Sequence, residues 1–222
     1  MHSKTSLKGV LFDLDGTLLD TAPDLGAAMN RFLQARNLPT LSSVQTRGIV
    51  GRGMKGFLKM ALDMDENHHD YLGFSAELFE YYQKHMFDST QLFSGIHEVL
   101  DYLFVNQIPW GIVTNKPGRF TDELIKYLPE LQKAQCIISC DTLKNCKPHP
   151  EPILHACRLM SVEPQDCIYI GDAEIDIIAS KAAGMPVIAA LYGYIDDQEN
   201  PLDWQANGYI NHPSELISIF KK

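Results

Sequence analysis

Hydrophobic residues in this chain of 222 residues change from short continuous runs to helical spacing and back again. The first run, Val-Leu-Phe at residues 10–12, suits a strand that is buried on both faces. Similar runs recur in the second half of the chain, at residues 110–113, 136–139, 167–170 and 187–190. Helix-like segments separate these runs, and this alternation predicts βαβ units and an α/β fold with a parallel sheet.

The stretch from about residue 21 to residue 90 has a different pattern. Its apolar residues recur at helical spacing, for example at Leu25, Met29, Phe32 and Leu33. A crossover between parallel strands needs only one helix, so several helices here exceed what the sheet requires. We therefore predict a core of residues 1–19 and 91–222, with residues 20–90 inserted as an α-helical cap domain. A larger helical layer on the same core is the alternative.

Composition limits the partners of this chain. The formal net charge is −9, whereas nucleic acids and anionic membrane surfaces bind basic patches, so neither is an expected partner. No apolar run reaches membrane-spanning length, and the polar residues 1–6 lack the hydrophobic region of a secretory signal. Five cysteines without Cys-x-x-Cys or His-x-x-x-His spacing predict reduced thiols in a cytoplasmic protein; they are Cys136, Cys140, Cys146, Cys157 and Cys167.

Two carboxylates directly follow the first hydrophobic run. Asp13 would lie at the carboxyl end of a parallel strand, where open α/β sheets bind ligands. The two-residue period of a strand places Asp15 on the same side, and two such carboxylates repel unless a cation or a shared proton intervenes. A divalent metal explains the pair. The simpler alternative is that Asp15 and Gly16 form an ordinary turn.

Polar residues follow two later features of the pattern. Thr114 and Asn115 come after the run at 110–113. In the simple interpretation they are a helix N-cap and a turn residue. In the functional one, the Thr114 hydroxyl and a backbone N–H donate to phosphoryl oxygens at a helix start. Lys147 lies in a loop with three prolines. A rigid loop favours a fixed cation at Lys147 over an ordinary solvated charge.

Asp172 and Asp176 follow the run at residues 167–170. Their spacing of four places them on one face of a helix, directed toward the sheet edge where the strand of Asp13 ends. Hard oxygen ligands in this arrangement suit Mg²⁺. The alternative is that both acids only favour the start of a helix through its dipole.

Together these clusters resemble the four motifs of haloacid-dehalogenase-superfamily phosphatases. The motifs are Asp13-x-Asp15-Gly16-Thr17, Thr114-Asn115, Lys147-Pro148 and Gly171-Asp172-x-x-x-Asp176, and they span nearly the entire chain. The resemblance implies a Rossmann-like parallel sheet with the strand of Asp13 at its centre and a cap inserted after the first motif. Further similarity to phosphoglycolate phosphatases lies in residues 19–24 and 114–117. Residues 192–195, Asn200-Pro201 and Trp204 resemble the branch that acts on N-acetylmuramic acid 6-phosphate in bacterial cell-wall recycling.

The resemblance also implies roles for the acidic residues. Asp13 would be the nucleophile that forms an aspartyl-phosphate, which divides one difficult displacement into two easier ones. Asp15 would act first as general acid and then as general base. Mg²⁺ would be held by Asp13, by the main-chain carbonyl of Asp15 and by Asp172, with Asp176 reached through water or hydrogen bonds.

The remaining motifs would hold the phosphoryl group. The resemblance assigns its oxygens to Thr114, the amide at Asn115 and Lys147. The expected function is Mg²⁺-dependent hydrolysis of a small phosphorylated metabolite. The main alternative is a β-phosphoglucomutase-like isomerase, which would share every motif and pass the phosphoryl group to a second sugar hydroxyl. A non-catalytic binding module is a third class, but it would not need both Asp13 and Asp15.

Residues 47–53 form a glycine-rich stretch with two arginines in an acidic chain. The simple interpretation is a turn between helices with solvated charges. In similar proteins a loop here closes over the active site, and this implies that Arg47, Gly51 and Arg52 bind substrate. Arginine there suits a substrate carboxylate through bidentate pairing. Both 2-phosphoglycolate and N-acetylmuramic acid 6-phosphate carry a carboxylate, so the presence of the arginines does not distinguish these two candidate substrates.

Overall fold

The computed structural model describes residues 7–221, so the polar residues 1–6 lie outside the described part. The chain forms two compact units. The α/β unit comprises the residues up to Leu19, Leu92–Gly193 and the residues from Asn200 onward. The helical unit comprises Asp20–Gln91 and Tyr194–Glu199. Within residues 7–221, no helix combines the length and the apolar character needed to cross a bilayer.

The described strands are β1 (Gly9–Phe12), β2 (Leu19–Asp20), β3 (Gln91–Leu92), β4 (Trp110–Val113), β5 (Cys136–Ile138), β6 (Cys167–Gly171), β7 (Val187–Ala190) and β8 (Gly208–Ile210). Six of them form one parallel sheet in the order β5-β4-β1-β6-β7-β8. Strand β1 is central, and its Val10 lies opposite Trp110 of β4 and Ile168 of β6. The predicted parallel α/β sheet is confirmed.

The sequence pattern did not predict strand β8. Only Ile210 among its three residues is buried, so the strand lacks the continuous apolar run that marks the other five. The neighbouring strand β7 is buried at every position, and β8 extends the sheet beyond it.

Helices of the helical unit are α1 (Ala22–Gln34), α2 (Ser43–Gly51), α3 (Gly53–Leu62) and α4 (Tyr71–His85). Helix α1 packs against both α2 and α4. The Phe32 ring of α1 makes edge contacts with Phe57 and Phe74, at centroid distances of 5.6 and 5.9 Å. These aromatic pairs give the unit an apolar interior of its own.

Helices of the α/β unit are α5 (Ile96–Val105), α6 (Gly118–Tyr127), α7 (Glu151–Met160), α8 (Glu174–Ala182) and α9 (Glu215–Phe220). Helices α6 and α8 follow β4 and β6 closely: α6 begins just after Thr114-Asn115, and α8 begins between Asp172 and Asp176. The connections therefore bring the motifs to one edge of the sheet.

The helical unit is discontinuous in sequence, which differs from the predicted domain boundaries. Residues 194–199 were expected in the α/β core. Instead the Tyr194 hydroxyl accepts a hydrogen bond from the Thr21 backbone N–H at 2.6 Å and donates one to Asp20 at 2.9 Å. A hydrophobic pattern carries no information about such contacts between residues more than 170 positions apart.

Candidate active site

Asp13 begins the site at the carboxyl end of β1. Its backbone N–H donates to the Ile170 carbonyl at 2.9 Å, which continues the pairing of β1 with β6 by one residue. Its Oδ1 accepts a hydrogen bond from the Leu14 N–H at 2.7 Å. The side chain is only 13% exposed. Strand pairing and this local hydrogen bond therefore fix the carboxylate at the sheet edge.

Lys147 contributes a buried ammonium group, with a side chain that is 1% exposed. Its Nζ lies 3.0 Å from Asp13 Oδ1 and 2.7 Å from Asp176 Oδ1. It also donates to the Val113 carbonyl at 2.9 Å and to the Tyr169 hydroxyl at 2.8 Å. Burial alone would lower the pKa of Lys147, but the two carboxylates outweigh burial and raise it above its usual range. Lys147 is therefore a fixed cation.

Asn115 holds the backbone of Lys147. Its side-chain Nδ2 donates to the Lys147 carbonyl at 2.8 Å, and its Oδ1 accepts from the Lys147 N–H at 3.0 Å. The side chain of Asn115 thus has a positioning contact that the sequence did not indicate. Tyr169 was also missed, because a tyrosine within a buried strand gives no sign that its hydroxyl lies 2.7 Å from the Val113 carbonyl.

Three carboxylates converge beside Lys147. Asp13, Asp172 and Asp176 each offer an oxygen within 4.8 Å of the others. Burial, followed by the charge of Asp176, raises the pKa of Asp13 to about 6 although Lys147 opposes the shift. Three acids near one lysine leave an excess of negative charge. Their hard oxygen donors fit Mg²⁺. Asp172, however, lies before α8 and not on the same helix face as Asp176, which differs from the expectation based on their spacing.

Gly16 permits the close approach of Asp172. Its φ of +81° favours glycine, and a Cβ atom here would lie 2.0 Å from Asp172 Oδ2. Thr17, the next residue, donates from Oγ1 to Asp172 Oδ1 at 2.8 Å. The turn after Asp15 therefore packs directly against this carboxylate and orients it.

Asp15 has an ion pair that the sequence did not predict. Lys116 Nζ lies 3.1 Å from Asp15 Oδ1 and 3.0 Å from Oδ2. The backbone N–H of Lys116 donates to Thr114 Oγ1 at 3.2 Å, and Thr114 is buried. In the sequence, the place of Lys116 directly after the Thr114-Asn115 motif is the feature that could have indicated its presence at the site.

Two cysteines close to Lys147 correct an earlier expectation. Cys140 and Cys146 form a disulfide, so the prediction of reduced thiols was wrong for this pair. The loop between β5 and α7 folds back and brings their Cα atoms within 5.0 Å. The other three cysteines are free and buried.

The helical unit contains the predicted substrate-binding arginines. Arg47 lies within α2 rather than in a turn, and its guanidinium contacts Asp20 Oδ2 at 3.1 and 3.2 Å. Helix formation here follows from a capping box between Ser42 and Gln45, a feature that the glycine-rich pattern obscured.

Arg52 and Gly51 lie where α2 ends. Arg52 forms an ion pair with Asp196 at 2.9 Å. A Cβ atom on Gly51 would lie 2.3 Å from the Tyr194 carbonyl oxygen, so glycine allows the end of α2 to pack against this segment. Packing inside the helical unit is thus sufficient to explain Gly51, whereas both arginines are cations held by aspartates.

Comparisons with known proteins agree with this geometry. The family model of haloacid dehalogenase-like hydrolases matches residues 10–190. A phosphoglycolate phosphatase of Xanthomonas campestris is 40% identical over 210 residues, which cover 94% of each chain. An N-acetylmuramic acid 6-phosphate phosphatase of Pseudomonas putida is 36% identical over 213 residues, covering 96% of each chain. The crystal structure of a predicted phosphoglycolate phosphatase from Haemophilus somnus has a TM-score of 0.86 at 24% identity, with coverage of 98% and 99%.

Proposed function

We propose that this chain, which belongs to the haloacid dehalogenase-like hydrolases, is a Mg²⁺-dependent phosphatase of small metabolites that carry a carboxylate. The observation that carries the proposal is the group of Asp13, Lys147, Asp172 and Asp176 at the carboxyl end of β1, in which Asp13 is partly buried and the other three residues are buried. The relatives named above act on 2-phosphoglycolate and N-acetylmuramic acid 6-phosphate, and these are the two candidate substrates.

Asp13 and Asp15 perform the covalent steps of this proposal. A carboxylate oxygen of Asp13 bonds to phosphorus while the ester P–O bond breaks, and Asp15 protonates the departing alkoxide. A water molecule then attacks the aspartyl-phosphate, and Asp15 takes its proton. Inorganic phosphate leaves and both aspartates return to their starting states. General acid–base catalysis of this kind contributes about 10²–10⁴-fold to the rate.

Neighbouring donors position the phosphoryl group. Lys147 presents an ammonium whose location is already fixed by Asp13 and Asp176, so no reorganisation is needed when charge develops. The Thr114 hydroxyl and the backbone N–H of Asn115 supply further donors, while the Asn115 side chain holds Lys147 in place. Most of the catalysis proposed here is positioning and electrostatic stabilisation.

The acidic residues fit the metal ion. Asp13, the main-chain carbonyl of Asp15 and Asp172 would hold Mg²⁺, and the bound ion supplies positive charge that offsets repulsion between Asp13 and a phosphate dianion. Asp176 accepts hydrogen bonds from Lys147, and from the Ala173 N–H at 3.1 Å. Asp176 therefore contributes by holding the Lys147 ammonium in position. In this proposal the helical unit serves as the cap, and its arginines bind the substrate carboxylate.

Phosphate release tests the function directly. We expect the protein with Mg²⁺ to release inorganic phosphate from 2-phosphoglycolate or N-acetylmuramic acid 6-phosphate, and Asp13→Asn to release none. Mass spectrometry should find a beryllofluoride or phosphoryl adduct on Asp13. Conversion of β-glucose 1-phosphate to its 6-phosphate without phosphate release would instead establish the isomerase. Failure to act on any of these compounds contradicts both functions.

A further inference from the structure

Lys116 is a buried charged residue that the proposed mechanism does not use. Its side chain is 5% exposed, and its Nζ contacts both carboxylate oxygens of Asp15 at nearly equal distances of 3.1 and 3.0 Å. The Asp15 side chain is 23% exposed. A largely desolvated ammonium therefore faces the carboxylate that exchanges protons in the reaction.

The backbone of Lys116 is fixed on two sides. Its N–H donates to Thr114 Oγ1 at 3.2 Å, and its carbonyl accepts from the Cys140 N–H at 3.2 Å. The side chain thus extends from an anchored point between β4 and α6. Because its origin is anchored, the ammonium can hold Asp15 in one orientation rather than follow it.

Stability alone does not explain a lysine at this position. Removing an ammonium from water is costly. When well-packed apolar residues are substituted for a buried ion pair, the protein often loses no stability. An aspartate has rotatable χ1 and χ2 angles, and a cation placed evenly between its oxygens restricts both. Each oxygen has two lone pairs, so contact with Nζ leaves each oxygen able to exchange a proton elsewhere.

We propose that Lys116 is a positioning residue for the reaction: it holds the Asp15 carboxylate in the orientation from which Asp15 exchanges protons with the leaving group and with water. This inference rests on the proposed phosphatase function. The two lysines then have different tasks. Lys147 faces Asp13 and Asp176, whereas Lys116 faces Asp15.

The test compares leaving groups that differ in their need for a proton. An alkyl ester such as 2-phosphoglycolate needs protonation as it departs, whereas p-nitrophenyl phosphate hardly does. Lys116→Met, which keeps the chain length and removes the charge, should lower kcat on the alkyl ester by about ten- to a hundred-fold. Its kcat on the aryl ester should stay within about threefold of the wild type, and KM for both should change little.

Four further variants make the result specific. Asp15→Asn should show the same dependence on leaving group, more strongly, and Lys116→Arg should recover part of the lost kcat. Lys116→Gln, which is polar and uncharged, repeats the test if the Met variant does not fold. The matched control is Lys126→Met, which removes an exposed lysine paired with Glu123 at 2.8 Å and should leave both rates unchanged.

Two outcomes distinguish a failure of the inference about Lys116 from a failure of the proposed phosphatase function. If Lys116→Met slows both esters equally, or if Lys116→Arg recovers nothing, Lys116 has only a structural role. Phosphate release by the wild type, measured in the same assay, decides the phosphatase function separately. If Asp15→Asn itself shows no dependence on leaving group, Asp15 is not the acid–base residue, and the inference about Lys116 fails with it.

Discussion

At the scale of single residues, Asp13 lies in surroundings that oppose the negative charge that the proposed nucleophile would carry. Burial and the nearby Asp176 raise its pKa to about 6, and Lys147 at 3.0 Å only partly compensates. Without metal, the ionised carboxylate therefore destabilises the folded protein at neutral pH. Strained or destabilised groups of this kind are common where function, rather than stability, sets the residue type.

Asp13→Asn should stabilise the metal-free protein while abolishing activity. The folded pKa is higher than the ordinary value of 3.8, so ionising Asp13 costs folding free energy that grows from about pH 4 to pH 6 and is constant above. The neutral Asn side chain avoids this cost. A pKa of about 6 in place of 3.8 corresponds to about 3 kcal/mol, but Lys147 loses one of its two carboxylate partners in the variant. Above pH 6 we therefore expect a gain in unfolding free energy on the order of 1 kcal/mol, falling toward zero near pH 4.

Chemical denaturation in EDTA across this pH range measures the effect. Asp122→Asn serves as the matched control because Asp122 is exposed on α6, and its stability should follow the wild type. If Asp13→Asn is less stable than the wild type at pH 8, the attraction between Asp13 and Lys147 outweighs the cost of burying the carboxylate. The predicted stabilisation would then be wrong.

The sequence anticipated much of this residue pattern, but not all of it. Asp13 and Asp172 follow apolar runs, Asp176 comes four residues after Asp172, and Lys147 lies in a proline-rich loop. Their meeting at one sheet edge could therefore be predicted. The pairing of Lys116 with Asp15 could not, because it joins loops 101 positions apart. Its distance depends on how far each loop extends past its strand, which no local pattern specifies.

At the scale of elements, α2 determines how the arginines are presented. Arg47 and Arg52 are paired with Asp20 and Asp196, so a substrate carboxylate must compete with an aspartate for either one. Arg47 has the greater restraint, because its guanidinium also lies over the Tyr194 ring at 5.2 Å. Within residues 7–221, Arg52 pairs with Asp196, and its side chain is 47% exposed.

If an arginine binds the substrate carboxylate, its removal should weaken hydrolysis selectively. We expect Arg47→Ala or Arg52→Ala to lower kcat/KM on carboxylated esters by roughly ten- to a hundred-fold, which corresponds to about 1.5–3 kcal/mol for a charged hydrogen bond. N-acetylglucosamine 6-phosphate, which has no carboxylate, should lose much less. Measurements at fixed ionic strength exclude a general steering effect.

Lys59→Ala is the matched control for that series. Lys59 is an exposed cation on α3 with its own aspartate partner, Asp63. Its loss changes the net charge by the same amount and should leave selectivity unchanged. Equal losses on carboxylated and carboxylate-free esters would mean that the arginines only stabilise the helical unit, and the expected substrate class would then be wrong.

At the scale of the whole molecule, the parallel sheet and the helical insertion could both be predicted because each has a distinct hydrophobic period. Strands buried on both faces give continuous runs, and the helices of Asp20–Gln91 give spacings of three and four. The contribution of Tyr194–Glu199 to the helical unit could not be predicted. That short segment has no period, and its contacts are with residues distant in sequence.

Net charge and the buried acids together predict a response to Mg²⁺. The chain has a formal charge of −9, and Asp13, Asp172 and Asp176 concentrate part of it in one place. Mg²⁺ at about a hundredfold excess over its Kd should stabilise the fold by about 2.7 kcal/mol. For a protein of this size that raises Tm by several degrees.

Thermal unfolding with MgCl₂, and with NaCl at equal ionic strength, separates binding from screening. Asp172→Asn should abolish most of the shift caused by magnesium and leave the NaCl response unchanged. Activity should disappear after chelation and return when Mg²⁺ is added. Full turnover in the chelated protein would refute the metal requirement.

The split of the helical unit between two stretches of chain affects how it can be inherited. Tyr194 accepts hydrogen bonds from the backbone N–H groups of Thr21 and Ala22, both of which are buried. A recombination that moved only residues 20–91 into a host without a hydroxyl at position 194 would deprive both groups of this acceptor, at about 1–3 kcal/mol each. Residues 20–91 and 194–199 must therefore be inherited together. Substitutions of Tyr194 should be accepted in evolution only together with changes around Thr21.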